Sequence, residues 1–319
     1  MSDQPLLVIA HRGASGYLPE HTLEAKAYAH ALGAHYLEQD VVATRDDELI
    51  VLHDIHLDGV TDVADRYPDR KRDDGHFYAR DFDLAEIRSL AVWERRAADG
   101  ITAAFPNRFP TGVGDFRIPT LRSEIKLIQG LNHSTGRTVG IYPEIKRPAW
   151  HRAEGVDISQ LVLNLLDDLG YRTKNDPVYL QCFDAAEVRR IRHELGCQLR
   201  LVQLLGENDW GESETDYEAL KTPAGLAELA SIVDGIGPWI GQLVKMAEID
   251  GEPVSTGLVS AAHAQGLSVH AYTFRADQLA PGFENMEEMV AWFVEKLGID
   301  GVFTDFPDRA LSYRPLSRN

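Results

Sequence analysis

The sequence has little of several things. It holds two cysteines, Cys182 and Cys197, in 319 residues, too few for a disulfide framework in a chain of this length. It has no run of about eighteen apolar residues, which excludes a transmembrane helix, and it has no internal repeat or low-complexity tract. Positive charge is also short, with 32 Lys and Arg against 50 Asp and Glu and a formal net charge of −18. Such a surface repels polyanions, so nucleic acid and anionic membrane are disfavoured as partners, while a cation held by carboxylates is not. The opening MSDQPLLVIAHRG has neither a basic n-region nor an apolar stretch of leader length. The expected address is therefore cytoplasmic for the chain as it stands, or periplasmic for one from which a leader was removed.

With 44% hydrophobic and 26% charged residues, the composition is that of a globular protein with ample core. β-Rich runs recur at 6–11, 36–42, 49–53, 139–145, 178–183, 199–204, 231–236, 267–273 and 301–304. Helical patterns fall at 23–32, 158–169, 185–195, 254–264 and 286–297. This alternation predicts a parallel sheet covered by helices, and about eight units over some 250 residues is the size of a TIM (β/α)8 barrel. A doubly wound open sheet is the competing layout. The barrel is preferred because reactive residues gather at the C-terminal ends of several strands. From 58 to 118 the rhythm fails in charged, Pro- and Gly-containing sequence. The expectation is one domain over 1–319 with a loop-rich subdomain inserted at 58–118.

Alternation along a strand places Glu38 and Asp40 on one face, and likewise Glu144 and Lys146. Three carboxylates in a barrel interior persist only if a cation, a base or protonation offsets their desolvation. Glu38, Asp40 and Glu144 form an all-oxygen set suited to one hard divalent cation, Ca²⁺ or Mg²⁺. His11 and His53 close two of the strands, and a pair of imidazoles flanking a phosphorus can serve as general acid and base near neutral pH. Arg12 offers a planar fork to phosphate oxygens and Lys146 a compact charge. Gly13 and Gly16 let the chain turn beside a ligand. His21, His56 and His270 are read as structural. No Walker loop, dinucleotide fingerprint or nucleophile elbow is present.

Taken together, HRGASGYLPEHT at 11–22, LEQDVVATRDDELIVLHD at 37–54, YPEIK at 142–146, YLQCFD at 179–184, DGIGP at 234–238 and GVFTDFPD at 301–308 carry a resemblance. The sequence resembles the glycerophosphodiester phosphodiesterases, most closely the bacterial periplasmic branch, over nearly its whole length. The resemblance implies a TIM barrel and a divalent ion on Glu38, Asp40 and Glu144, with Ca²⁺ favoured over Mg²⁺. It implies His11 and His53 as acid and base, and Arg12 and Lys146 at the phosphate. His21 stands where the commoner family pattern has Asn, as it does in the periplasmic branch. The implied substrate is a small glycerophosphodiester with a broadly tolerated alcohol, cleaved to glycerol 3-phosphate through a cyclic phosphate. Gln181, Trp239, Tyr272 and Phe306 are further candidates for lining the glycerophosphate half of the pocket. A lipid-acting barrel phospholipase is the alternative enzyme, and a non-catalytic glycerophosphate binder the alternative class. The first is disfavoured by the net charge and the second by the presence of all five metal and acid–base positions. A homodimer is the assembly left open.

Overall fold

The computed structural model describes residues 6–97, 99–247 and 252–313. Eight parallel strands close on themselves in chain order: β1 (Leu7–Ala10), β2 (Tyr36–Ala43), β3 (Gly140–Ile145), β4 (Tyr179–Cys182), β5 (Arg200–Leu205), β6 (Gly235–Pro238), β7 (Ser268–Phe274) and β8 (Gly301–Thr304). β1 pairs with both β2 and β8, and that double pairing closes the barrel. The closed sheet with its covering helices is the TIM barrel expected from the alternation. Helices start and stop on local signals. Thr22 caps Leu23–Leu32 by accepting from the Ala25 amide, and Gly33 ends it in the left-handed region at φ 105.

The strands are nearly continuous apolar runs because both faces are buried. Outward-facing Val8, Leu37, Val41, Ile141, Ile145, Leu180 and Val269 join the helices in the main core. Inward-facing Ile9, Tyr142, Tyr179, Val202 and Phe303 form a second cluster inside the barrel, in which Tyr142 stacks on Tyr179 at 5.0 Å and meets Phe303 edge-on at 4.9 Å. His270 belongs to this layer, its Nδ1 2.8 Å from the buried Tyr142 hydroxyl. An aromatic plug thus fills the barrel below the polar ends of the strands.

Three expectations about elements change. The run at 49–53 is a short strand, Leu49–Val51, antiparallel to β2 and outside the barrel. Its connection from β2 is too short for the crossover that a parallel partner needs. The strand expected at 231–236 lies at Gly235–Pro238, and the helix expected from 254 begins only at Leu258, after the strand Pro253–Ser255 and Gly257 at φ 88. Between 58 and 118 the elements are short, such as Val63–Arg66 and Leu84–Ile87. They share a separate apolar cluster around Phe77, Phe82, Leu90 and Phe116. Among the described residues no helix is long and apolar enough to cross a membrane.

One buried ion pair supports the strand that carries two of the acids. Lys26, fully buried on the first helix, lies 2.6 Å from Glu124 Oε1 and donates to the carbonyl of Glu38. Removing one partner leaves an uncompensated buried charge, so Lys26→Met is expected to cost about 3–5 kcal/mol by chemical denaturation. Lys26→Met with Glu124→Gln should recover part of that loss. A single variant as stable as the parent would show that the pair contributes nothing.

Candidate active site

Strand register assembles the centre. Asp40 on β2 stands opposite Glu144 on β3, and Glu144 opposite Gln181 on β4, so three polar side chains lie abreast on adjacent strands, with Glu38 two residues before Asp40 on the same face. One oxygen from each of Glu38, Asp40 and Glu144 lies within 4.8 Å of the others. They open into a cavity of about 240 Å³ whose walls include His11, Arg12, His53, Lys146, Gln181, Trp239 and Tyr272. Ten of the eleven expected site residues therefore meet at one place.

Phe306 is the exception and is corrected. Its ring packs against Tyr17 at 5.2 Å within the main core, and a side chain at Gly16 would meet it at 2.4 Å. Gly16 is thus needed for close approach to Phe306, while Gly13 makes the turn, at φ 88. Two other candidates reach the cavity in a different manner from a substrate ligand. Tyr272 spends its hydroxyl on the Leu205 carbonyl at 2.6 Å and presents only its ring. Gln181 donates to Glu38 Oε1 at 3.1 Å and so steadies an acid. Trp239 stands at the mouth, edge-on to Trp210 at 5.6 Å.

The charges explain what the acids can hold. Burial, above all, raises the pKa of Glu38 and Glu144. Asp40 is held well below the usual range, because His21 and Lys146 outweigh its own burial. Asp40 Oδ1 is buried with no hydrogen-bond partner. Three convergent carboxylates, one of which has a buried oxygen without a hydrogen-bond partner, fit a hard divalent cation. Lys146 lies 2.8 Å from Glu144 Oε1, and Glu144 and Asp40 keep it an ammonium despite burial. Arg12 gives its backbone N–H to Glu38 at 2.8 Å and its Nη1 to Glu20 at 3.0 Å, while Nε makes no hydrogen bond and lies in an ion pair 3.7 Å from Asp40 Oδ2.

Each imidazole has a carboxylate behind it. His11 Nδ1 lies 2.6 Å from Asp305 Oδ1, and His53 Nδ1 lies 2.6 Å from Asp54 Oδ1. Since an ionised carboxylate only accepts, Nδ1 carries the proton in both rings and Nε2 is the nitrogen left for chemistry. His11 Nε2 is 3.8 Å from Glu38 Oε2. His53 is pushed down to about 4, first by burial and then by Arg12 and Lys146, against the pull of Asp54. Sequence reasoning missed both aspartates, although they stand inside the quoted LHD and TDFPD strings. His21, read as structural, touches an acid directly, with Nε2 2.7 Å from Asp40 Oδ2.

The model of the glycerophosphoryl diester phosphodiesterase family matches residues 11–309. A glycerophosphodiester phosphodiesterase of Haemophilus influenzae is 45% identical over 324 residues, covering 96% of this chain and 89% of the relative. One from Treponema pallidum is 36% identical over 325 residues, covering 96% and 91%. A crystal structure from Silicibacter pomeroyi aligns with TM-score 0.71 and 25% identity, over 97% of this chain and 92% of that one.

Proposed function

The chain belongs to the glycerophosphoryl diester phosphodiesterase family and is an enzyme of that class, and from this premise we propose that it cleaves soluble glycerophosphodiesters such as glycerophosphocholine and glycerophosphoethanolamine to glycerol 3-phosphate and the free alcohol. The observation that carries the reading is the meeting of two carboxylate-backed imidazoles with three convergent acids at one cavity.

The glycerol hydroxyl next to the phosphodiester is the natural nucleophile, because attack within one molecule gains effective molarity over free water. His53, kept neutral by burial and by the charges of Arg12 and Lys146, takes that hydroxyl proton on Nε2 as the new O–P bond forms. His11, facing the carboxylates of Asp305 and Glu38, protonates the departing alcohol as its P–O bond breaks. The roles then reverse. His11 activates water, and ring opening of the cyclic phosphate returns a proton from His53 to the glycerol oxygen. Arg12 and Lys146 neutralise the phosphoryl charge that grows at the transition state. Glu38, Asp40 and Glu144 would hold a divalent ion, which when bound supplies Lewis-acid charge and a template for the phosphoryl and glycerol oxygens.

Incubation with glycerophosphocholine should release choline and glycerol 3-phosphate in equal amounts, with the cyclic phosphate trapped at early times. Binding without release of choline would favour the non-catalytic alternative. Release of phosphocholine and glycerol would place the cleavage on the wrong side of phosphorus and overturn the proposal.

A further inference from the structure

The aspartates behind the two histidines are held from a second side. Asp54 accepts at Oδ1 from His53 Nδ1 and at Oδ2 from Arg95 Nη1 at 2.7 Å. Asp305 accepts at Oδ1 from His11 Nδ1 and at Oδ2 from Arg108 Nη2 at 2.7 Å and Arg275 Nε at 2.8 Å. Arg95 and Arg108 both come from the 58–118 stretch, whereas His11, Arg275 and Asp305 sit just beyond the ends of the barrel strands β1, β7 and β8, and His53 and Asp54 just beyond the short strand Leu49–Val51.

The two arginines are themselves well anchored. Arg95 grips both oxygens of Glu20 at 2.6 and 3.0 Å, and Glu20 also receives Arg12. Arg108 is bidentate to Asp277 at 2.8 and 3.0 Å, and its guanidinium lies 3.6 Å over the Phe105 ring. Next to Arg95, Glu94 is buried and is pushed up to about 8, first by burial and then by Glu20.

A carboxylate held at one oxygen can swing about its Cβ–Cγ bond. Held at both, it is fixed, and the imidazole bonded to it is fixed with it. We infer that Arg95 and Arg108 are positioning residues that act through Asp54 and Asp305, so that the 58–118 stretch is a working part of the catalytic centre and orients both histidines. This rests on His11 and His53 being the proton-transfer pair. The two relays differ in redundancy. Among the described residues Arg95 is the only cation besides His53 paired with Asp54, while Asp305 keeps Arg275 if Arg108 is lost.

In the metal-loaded, full-length enzyme, Arg95→Met is expected to lower kcat about 10–100-fold, the range for groups one step behind a functional ligand, with KM nearly unchanged. Arg95→Lys should recover most of the loss. Arg108→Met should cost less, and Arg108→Met with Arg275→Met more than either alone. In the Asp54→Asn background Arg95→Met should cost nothing further, because residues acting as one unit are non-additive. The downfield proton signal of the His53 Nδ1–H bond should disappear in Arg95→Met, and metal affinity measured by calorimetry should not move. Additive losses, a KM effect alone, or an intact proton signal with full kcat would overturn the inference. Should Arg95→Met not fold, the comparison of Arg95→Gln with and without Asp54→Asn carries the same test. If His53→Ala retains full activity, the assignment of the pair has failed; if it is inactive and Arg95→Met is normal, only the positioning role has failed.

Discussion

His53→Ala is expected to lower kcat on glycerophosphocholine by about 10²–10⁴-fold, the span typical of a lost general acid or base. The substitution truncates a ring whose Nδ1 is bonded to Asp54 at 2.6 Å and which lines the cavity, so the far nitrogen and its proton transfer go together. Folding should persist, because the side chain is 28% exposed and contributes little core. Circular dichroism and metal titration on the same sample separate these effects from misfolding. The pH profile offers an independent reading. A base acts in its deprotonated form, and burial together with Arg12 and Lys146 pushes His53 down to about 4. Activity attributable to this base is then present above that value and lost as pH falls through it. The acid limb of kcat/KM should accordingly lie well below the ordinary histidine value of about 6.5. Wild-type kcat in His53→Ala would remove the residue from the mechanism, and an acid limb near 6.5 would contradict its protonation state.

Local sequence carried much of this centre, and the reason is geometric. Two-residue spacing on a strand fixes a shared face, so Glu38 with Asp40 could be paired before any fold was known. The parallel alternation implied that strand ends would meet. Long-range partners were not legible in the same way. His11 and Asp305 are 294 positions apart, and only closure of β1 against β8 brings them together. Nor does any spacing announce that Arg95 and Arg108 reach back from an irregular stretch. The misplacement of Phe306 has a similar origin. One residue beyond Asp305, the chain has turned into the helix Pro307–Leu311, and the ring follows it into the core. The 49–53 run showed strand composition, but orientation depends on the length of the connection and not on the run itself.

Removing divalent ions with a chelator is expected to abolish turnover, and Ca²⁺ or Mg²⁺ to restore it. The argument begins from cost. Three carboxylates buried at 4%, 1% and 5% exposure, with oxygens within 4.8 Å, repel one another and lose hydration. Lys146 touches Glu144, and His21 touches Asp40, yet one oxygen of Asp40 remains unpartnered. Burial raises the pKa of Glu38 and Glu144, so protons compete with a cation for their oxygens. Binding of the ion must then displace protons. Calorimetry in buffers of different ionisation enthalpy should therefore detect proton release on metal binding, a readout independent of catalysis. Glu144→Gln removes one charge and one titrating group together, so it should weaken metal affinity by at least about 100-fold, the upper end for groups that merely support a ligand, and also reduce the protons released. The amide retains the size of the side chain and can still accept from Lys146, which keeps the loss from being one of packing. Chelator-insensitive turnover would contradict the metal role outright. Unchanged metal affinity in Glu144→Gln would show that the ion, if required, is held elsewhere.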